Sequence, residues 1–119
     1  MHTPMTLVQI AFTMLAAGAG GGLIFTLLIA LKARYPRWFG AAHGLLGLSA
    51  LGVLGYALSQ MAAPVPAASW WAAGVLGSAW CGGMLLFRVL RPKGLRLWLA
   101  LMHGSLALAG LYLLYQIAF

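Results

Sequence analysis

Four long apolar runs, each with the length of a membrane-crossing helix, occupy most of this 119-residue chain. The chain is 64% hydrophobic and only 6% charged, whereas soluble domains contain about 25% charged residues. A bilayer core about 30 Å thick is crossed by about 20 helical residues. We therefore predict an all-α integral membrane protein, a four-transmembrane-helix bundle with spans near residues 7–31, 39–58, 70–90 and 97–118 and a single domain over 1–119.

All the charged residues are basic: the chain has seven Lys and Arg and no Asp or Glu. The seven cations fall in or beside the first and third loops, so the positive-inside rule predicts that these loops are cytoplasmic and that both termini lie outside. We expect the bacterial inner membrane as the location, and the first apolar run as a retained span. Without carboxylates, carboxylate-based acid–base catalysis and carboxylate metal sites on this chain are excluded. The cations flank apolar helices, which favours contact with lipid and not with nucleic acid.

Residues 38–44 and 98–104 share Trp, His and Gly in the same places. The similarity extends backwards, because residues 20–25 and 82–87 both begin Gly-Gly and end in Phe. We predict an internal duplication of a helical hairpin, with repeat 1 near 7–60 and repeat 2 near 69–118. Hairpins that each cross the membrane twice run in the same direction, so the second and fourth helices are parallel and their histidines, His43 and His103, lie at one depth.

A histidine inside a bilayer is costly unless it is hydrogen-bonded or bound to a metal, so the pair is a candidate site. Small residues follow each histidine directly and one turn later, which leaves a slot for a flat macrocycle, and an arginine precedes each histidine near the membrane surface. Bis-histidine ligation in a helical bundle is an established way to hold b-type haem. The predicted cofactor site comprises the metal ligands His43 and His103 together with Gly44, Gly104, Gly47, Ala107, Arg37 and Arg96.

The two His-Gly segments resemble those of four-helix membrane b-type cytochromes, including subunits that pass electrons to or from quinones. The resemblance implies a small membrane subunit that binds one haem b and relays electrons within a respiratory or dehydrogenase complex, with quinone as a further ligand. In length and span number the chain is also similar to small multidrug-resistance transporters. Those transporters depend on an intramembrane glutamate in the first helix, which this sequence lacks.

Several alternatives remain open from the sequence. The histidines could form a purely structural hydrogen-bonded pair, or serve another metal or a quinone. The chain could be a non-catalytic scaffold or assembly subunit whose basic loops contact lipid. Expected partners are membrane lipid and other membrane subunits or further copies of the chain. An electron-transfer or accessory subunit is favoured over an enzyme acting by itself, and a transporter or channel ranks last.

Overall fold

The computed structural model describes residues 2–91 and 93–119. Four helices follow one another, namely α1 (Pro4–Ala30), α2 (Trp38–Ser59), α3 (Ala67–Met84) and α4 (Arg96–Ala118), and α3 continues as a π-helical segment over Leu85–Leu90. Within the described residues, these helices are long and apolar enough to make four membrane spans. The prediction of an all-helical chain with four helices long and apolar enough to span a membrane is confirmed. Every helix boundary lies within three residues of its predicted position when the π-helical segment is counted with α3.

The ends of α1 show why the first helix begins and ends where it does. Thr3 is the N-cap, since its hydroxyl oxygen accepts a 3.1 Å hydrogen bond from the backbone N–H of Thr6, and Pro4 fits the first helical position. At the other end, Lys32 adopts a left-handed backbone with φ of 51°, and the N–H of Ala33 reaches back 2.9 Å to the carbonyl of Leu28. This Schellman-type ending stops α1 directly before the basic first loop.

The helices form a closed ring in which each helix packs against the next one in the sequence and α4 packs back on α1. Neighbouring helices are antiparallel, so α2 and α4 run in the same direction and lie diagonally across the bundle. The packing is closest within the α1–α2 and α3–α4 hairpins and loosest between α2 and α3. The bundle is 47 Å long, which exceeds the hydrocarbon thickness of a bilayer, about 30 Å.

The well-packed core occupies the half of the bundle away from the basic loops. Its members are Val8, Ala11, Leu54, Ala57, Leu58, Ala72, Leu76, Leu114 and Ala118. In the same half, the ring of Phe12 packs against Tyr115 and Phe119, and the side-chain amide of Gln9 donates a 2.9 Å hydrogen bond to the carbonyl of Ala118. These contacts join α1 to α4 at the terminal end of the bundle. In the half nearer the basic loops, the four helices surround a cavity.

Candidate cofactor site

A mostly apolar cavity of about 600 Å³ lies between the four helices in the half of the bundle that carries the basic loops. Ligand-binding pockets commonly have volumes of about 300–1,000 Å³, so the cavity has the size of a cofactor site. All eight residues of the site predicted from the sequence line it: His43, His103, Gly44, Gly104, Gly47, Ala107, Arg37 and Arg96. The fold thus brings both predicted ligands, the small residues beside them and both arginines to one place.

The imidazole rings of His43 and His103 approach each other across the diagonal of the bundle. Their centroids are 6.3 Å apart and their planes are inclined by 74°. Two metal–imidazole bonds of about 2.0 Å separate the ligating nitrogens by about 4 Å, and one ring radius at each end brings the centroid separation to about 6 Å. The observed separation of the ring centroids matches this distance.

Each histidine packs against glycine on the preceding helix of its own hairpin. A Cβ atom at Gly22 would lie 3.2 Å from Cε1 of His43, and one at Gly83 would lie only 2.8 Å from Cε1 of His103. The second distance is shorter than real Cβ contacts, so Gly83 is required for the close approach of the His103 ring. The glycines of α1 and α3 therefore leave the space that the two imidazole rings occupy.

Phenylalanine rings flank both imidazoles in the same way. The centroid of Phe25 lies 6.2 Å from that of His43 at an interplanar angle of 64°, and Phe87 lies 6.2 Å from His103 at 76°. Both phenylalanines line the cavity. Such edge-to-face contacts restrict ring rotation and favour one orientation of each imidazole.

The Nδ1 atom of His103 is buried, and the backbone of Ala79 on α3 lies close enough to interact with the ring. No hydrogen bond of standard geometry to this atom is present among the described residues. The imidazole is therefore held against α3 by close packing at Gly83 and not by a well-formed hydrogen bond.

Trp80 closes the loosely packed seam between α2 and α3. Its indole N–H donates a 2.8 Å hydrogen bond to the carbonyl of Gly44. A Cβ atom at Gly47 would lie only 3.1 Å from Cδ1 of the indole. The glycine at position 47 thus accommodates the indole ring. The bond fixes α3 against the turn of α2 that carries His43.

Four arginines, Arg37, Arg88, Arg91 and Arg96, line the end of the cavity nearest the basic loops. The guanidinium of Arg88 lies 3.6 Å from the position of a Cβ at Gly40, at the start of α2, and Nε of Arg91 donates to the carbonyl of Arg88 at 3.0 Å. The chain contains no acidic side chain that could neutralise them. An apolar cavity with a cationic end suits a ligand with an apolar body and an anionic edge.

Sequence reasoning missed several residues of this cavity. The sequence pattern assigns Arg88 and Arg91 to topology alone, although their position on either side of the end of the third span suggests a second pair of cations. Phe25 and Phe87 carry a detectable signal, because they occupy equivalent places in the similar segments 20–25 and 82–87. Trp80 has no such counterpart, since the equivalent position in the first half is Gly18.

The small residues two turns beyond the histidines, Ala50 and Gly110, pack away from the cavity. Ala50 is fully buried, and a Cβ at Gly110 would lie 2.7 Å from Cγ of Leu76. Neither Ala50 nor Gly110 lines the cavity. Both small residues one turn from the histidines line the cavity, but the space beside Gly47 is filled by the indole of Trp80, so the slot lies beside Ala107 and does not extend to the second turn.

The donor set of the cavity consists of two imidazoles. Within the part of the chain that the structure describes, His, Cys, Asp and Glu form no group of three or more that could hold a metal ion. Comparison of the chain with protein-family models, with curated proteins and with solved structures finds no match. The cavity itself is therefore the feature from which a function can be inferred.

Proposed function

We propose that this chain is a small integral membrane subunit that binds one b-type haem between α2 and α4 and relays electrons within a respiratory or dehydrogenase complex. The observation that carries the proposal is the pair formed by His43 and His103, whose rings are 6.3 Å apart across a cavity of about 600 Å³. Two imidazoles alone are too few ligands for a stable zinc or copper site. They suffice for haem, because the macrocycle supplies the other four ligands.

The residues present fit a haem group on two grounds. The walls of the cavity are mainly aliphatic and glycine, as an apolar macrocycle requires, and Gly44 and Gly104 add no side-chain bulk beside the histidines. The four arginines at one end provide charge for the two propionates, which would be buried at a lower cost beside guanidinium groups.

In this proposal the protein supplies ligation, orientation and electrostatics. His43 and His103 would hold the iron, the flanking phenylalanines would fix the imidazole planes, and the arginines would neutralise the propionates. Haem bound by two histidines supplies one-electron transfer without open coordination positions, and its reduction potential is set by the axial ligands, nearby charge and burial. Because the cavity lies among membrane helices, a quinone in the lipid phase is the redox partner we favour.

The proposal includes a duplicated architecture and an orientation. The equal 6.2 Å spacing of the Phe25–His43 and Phe87–His103 pairs, with Gly21 and Gly83 at equivalent places beneath the two rings, supports two parallel hairpin repeats. The seven cations sit at one end of the bundle, which favours basic loops in the cytoplasm and termini outside, as in a bacterial inner membrane protein. The same cations would contact anionic lipid.

An absorption spectrum of the purified protein tests the proposal. The protein would be expressed with haem supplied and measured in mild detergent, oxidised and dithionite-reduced, with a pyridine haemochrome assay for stoichiometry. We expect a sharp reduced α-band and about one haem per chain. His43→Ala and His103→Ala should each abolish the low-spin spectrum. His2→Ala is the matched control, because His2 is exposed and does not line the cavity. A colourless wild-type protein would overturn the proposal.

A second candidate function, a non-catalytic scaffold or assembly subunit, is favoured by the outer surface. Gly52 and Gly55 on α2, and Gly74 and Gly77 on α3, have open space where a Cβ would lie. Glycines three residues apart on an open helix face allow close packing of a further membrane helix, from another subunit or a second copy. This function predicts that replacing both His43 and His103 by Gln leaves assembly with partners unchanged, whereas the electron-transfer proposal predicts a loss of electron transfer.

A further inference from the structure

The cavity reaches the lipid-facing surface between α1 and α4. Five residues line the cavity and are also exposed along this seam: Gly20 and Leu23 on α1, and Leu101, Ser105 and Leu108 on α4. Leu23 is 72% exposed and Leu108 is 58% exposed, so these side chains do not close the gap between the helices. A Cβ atom added at Gly20 or at Gly104 would meet no atom of another packed residue within 4 Å in the described part of the chain.

The gap lies at the level of the histidines. On α1 the gap lies next to Gly21, where a Cβ atom would be 3.8 Å from Nδ1 of His43. On α4 it lies next to Gly104, the residue that directly follows His103. Beyond the gap, towards the terminal end, the bundle is closed by the contacts of Phe12 with Tyr115 and Phe119. The opening is therefore confined to the half of the seam that faces the cavity.

The seam on the opposite side of the bundle is closed. Between α2 and α3, the indole of Trp80 bonds to Gly44 and covers Gly47. In the alignment of the two halves, Gly18 takes the place of Trp80, so the α1–α4 seam has no indole to fill it. Ala41, Leu45 and Leu48 on α2, which correspond to Leu101, Ser105 and Leu108 on α4, do not line the cavity.

We infer that the gap between α1 and α4, bounded by Gly20, Leu23, Leu101, Ser105 and Leu108, is a lipid-facing port through which the tetrapyrrole passes from the bilayer into the histidine site. The inference rests on the proposed function. An amphiphilic macrocycle partitions into the acyl-chain region with its carboxylates towards the headgroups, which matches an apolar gap below a cationic end. The port also leaves one edge of the bound macrocycle facing lipid, where a lipid-soluble redox partner can approach it.

The rate of haem uptake tests the port. Apoprotein made without haem would be placed in nanodiscs, haemin added to the lipid, and the rise of the Soret band followed in time. Gly20→Phe places a ring in the gap, and Gly52→Phe is its control, because both glycines have open space around the Cβ position but Gly52 does not line the cavity. Leu23→Trp and Leu45→Trp form a second pair at exposed leucines inside and outside the port.

We expect Gly20→Phe and Leu23→Trp to slow uptake about tenfold, an added barrier of about 1.4 kcal/mol, with the final haem content unchanged. The two controls should load at the wild-type rate. Equal rates for all variants would overturn the port and leave the haem proposal intact. Loss of haem binding at equilibrium in both Gly20→Phe and Leu23→Trp would also overturn the port, because the gap would then be part of the haem-binding site. A wild-type protein that takes up no haem overturns the proposed function, and the port with it.

Discussion

The indole N–H of Trp80 donates a 2.8 Å hydrogen bond to the carbonyl oxygen of Gly44, the residue directly after His43. This bond joins α3 to α2 across the loosest seam of the bundle. It constrains the turn of α2 from which the imidazole projects, although Trp80 does not touch His43 through this bond. Trp80 is therefore a positioning residue for the candidate ligand His43.

Replacing Trp80 by Phe keeps an aromatic ring in the seam but removes the N–H donor. We expect the free energy of unfolding to fall by about 1 kcal/mol, the usual net value of one such hydrogen bond. We also expect a broadened or shifted low-spin signal in electron paramagnetic resonance, since the His43 imidazole would be less constrained. Trp71→Phe is the control, because Trp71 is 70% exposed and does not line the cavity. An unchanged signal in Trp80→Phe would contradict the positioning role.

The adjacent glycines Gly82 and Gly83 test whether the His103 ring needs the space left by the missing side chain at Gly83. A methyl group at Gly83 would meet the His103 ring at 2.8 Å, whereas none of the described atoms lies within 4 Å of the Cβ position of Gly82. Gly83→Ala should cost about 1–3 kcal/mol of stability by overpacking and should lower the haem content by displacing the imidazole. Gly82→Ala should change neither. The readouts are haem stoichiometry and thermal unfolding followed by circular dichroism.

The arginines at the cavity end should influence the reduction potential of the haem. Positive charge beside the cofactor favours the reduced form, whose net charge is more negative. Arg88→Gln should lower the reduction potential and weaken haem retention at low salt, where the charge is least screened, with an energetic effect of about 1 kcal/mol or less because the side chain is exposed. Arg34→Gln removes an exposed cation that does not line the cavity, so its potential should equal that of the wild type in a redox titration. Equal potentials for both variants would contradict a role for Arg88 at the site.

The helices were predictable from the sequence because length, hydropathy and turn residues are local properties. The pair His43 and His103 was also predictable, since a polar ring in an apolar run stands out and the two histidines occupy the same place in two similar sequence segments. Arg37 and Arg96 followed from their spacing before the histidines. These residues differ chemically from everything around them, and that difference is visible without coordinates.

The remaining cavity residues were not predictable, because an apolar membrane helix has no polar face that reveals which side turns inward. A tryptophan such as Trp80 has the same chemistry whether it meets lipid or another helix. The glycine-rich middle of α1 shows the same ambiguity. Small residues in a membrane helix are typical of helix–helix contacts, but Gly22 faces His43 whereas Gly20 faces open space. Helix rotation, which decides between these roles, depends on contacts distant in the sequence.

The proposed orientation predicts which loops can be labelled from each side of the membrane. Cys81 is the single cysteine and is exposed, so a Cys81→Ser background removes the natural thiol. Lys93→Cys reports on the third loop and Ala62→Cys on the second, both at exposed positions outside the helices. Because cations are retained in the cytoplasm, a membrane-impermeant maleimide should label Lys93→Cys only in inverted vesicles and Ala62→Cys only in intact spheroplasts.

A detergent-solubilised sample, in which both thiols should react, controls for their accessibility. The reverse labelling pattern would place the arginine-lined end of the cavity outside the cytoplasm and overturn the proposed orientation. Labelling of both positions from one side would contradict the crossing of the membrane by α3, since this helix and its π-helical continuation separate the two positions. The expected pattern would place the haem near the cytoplasmic face, with its propionates towards the basic loops. Electrons would then be exchanged on that side of the membrane.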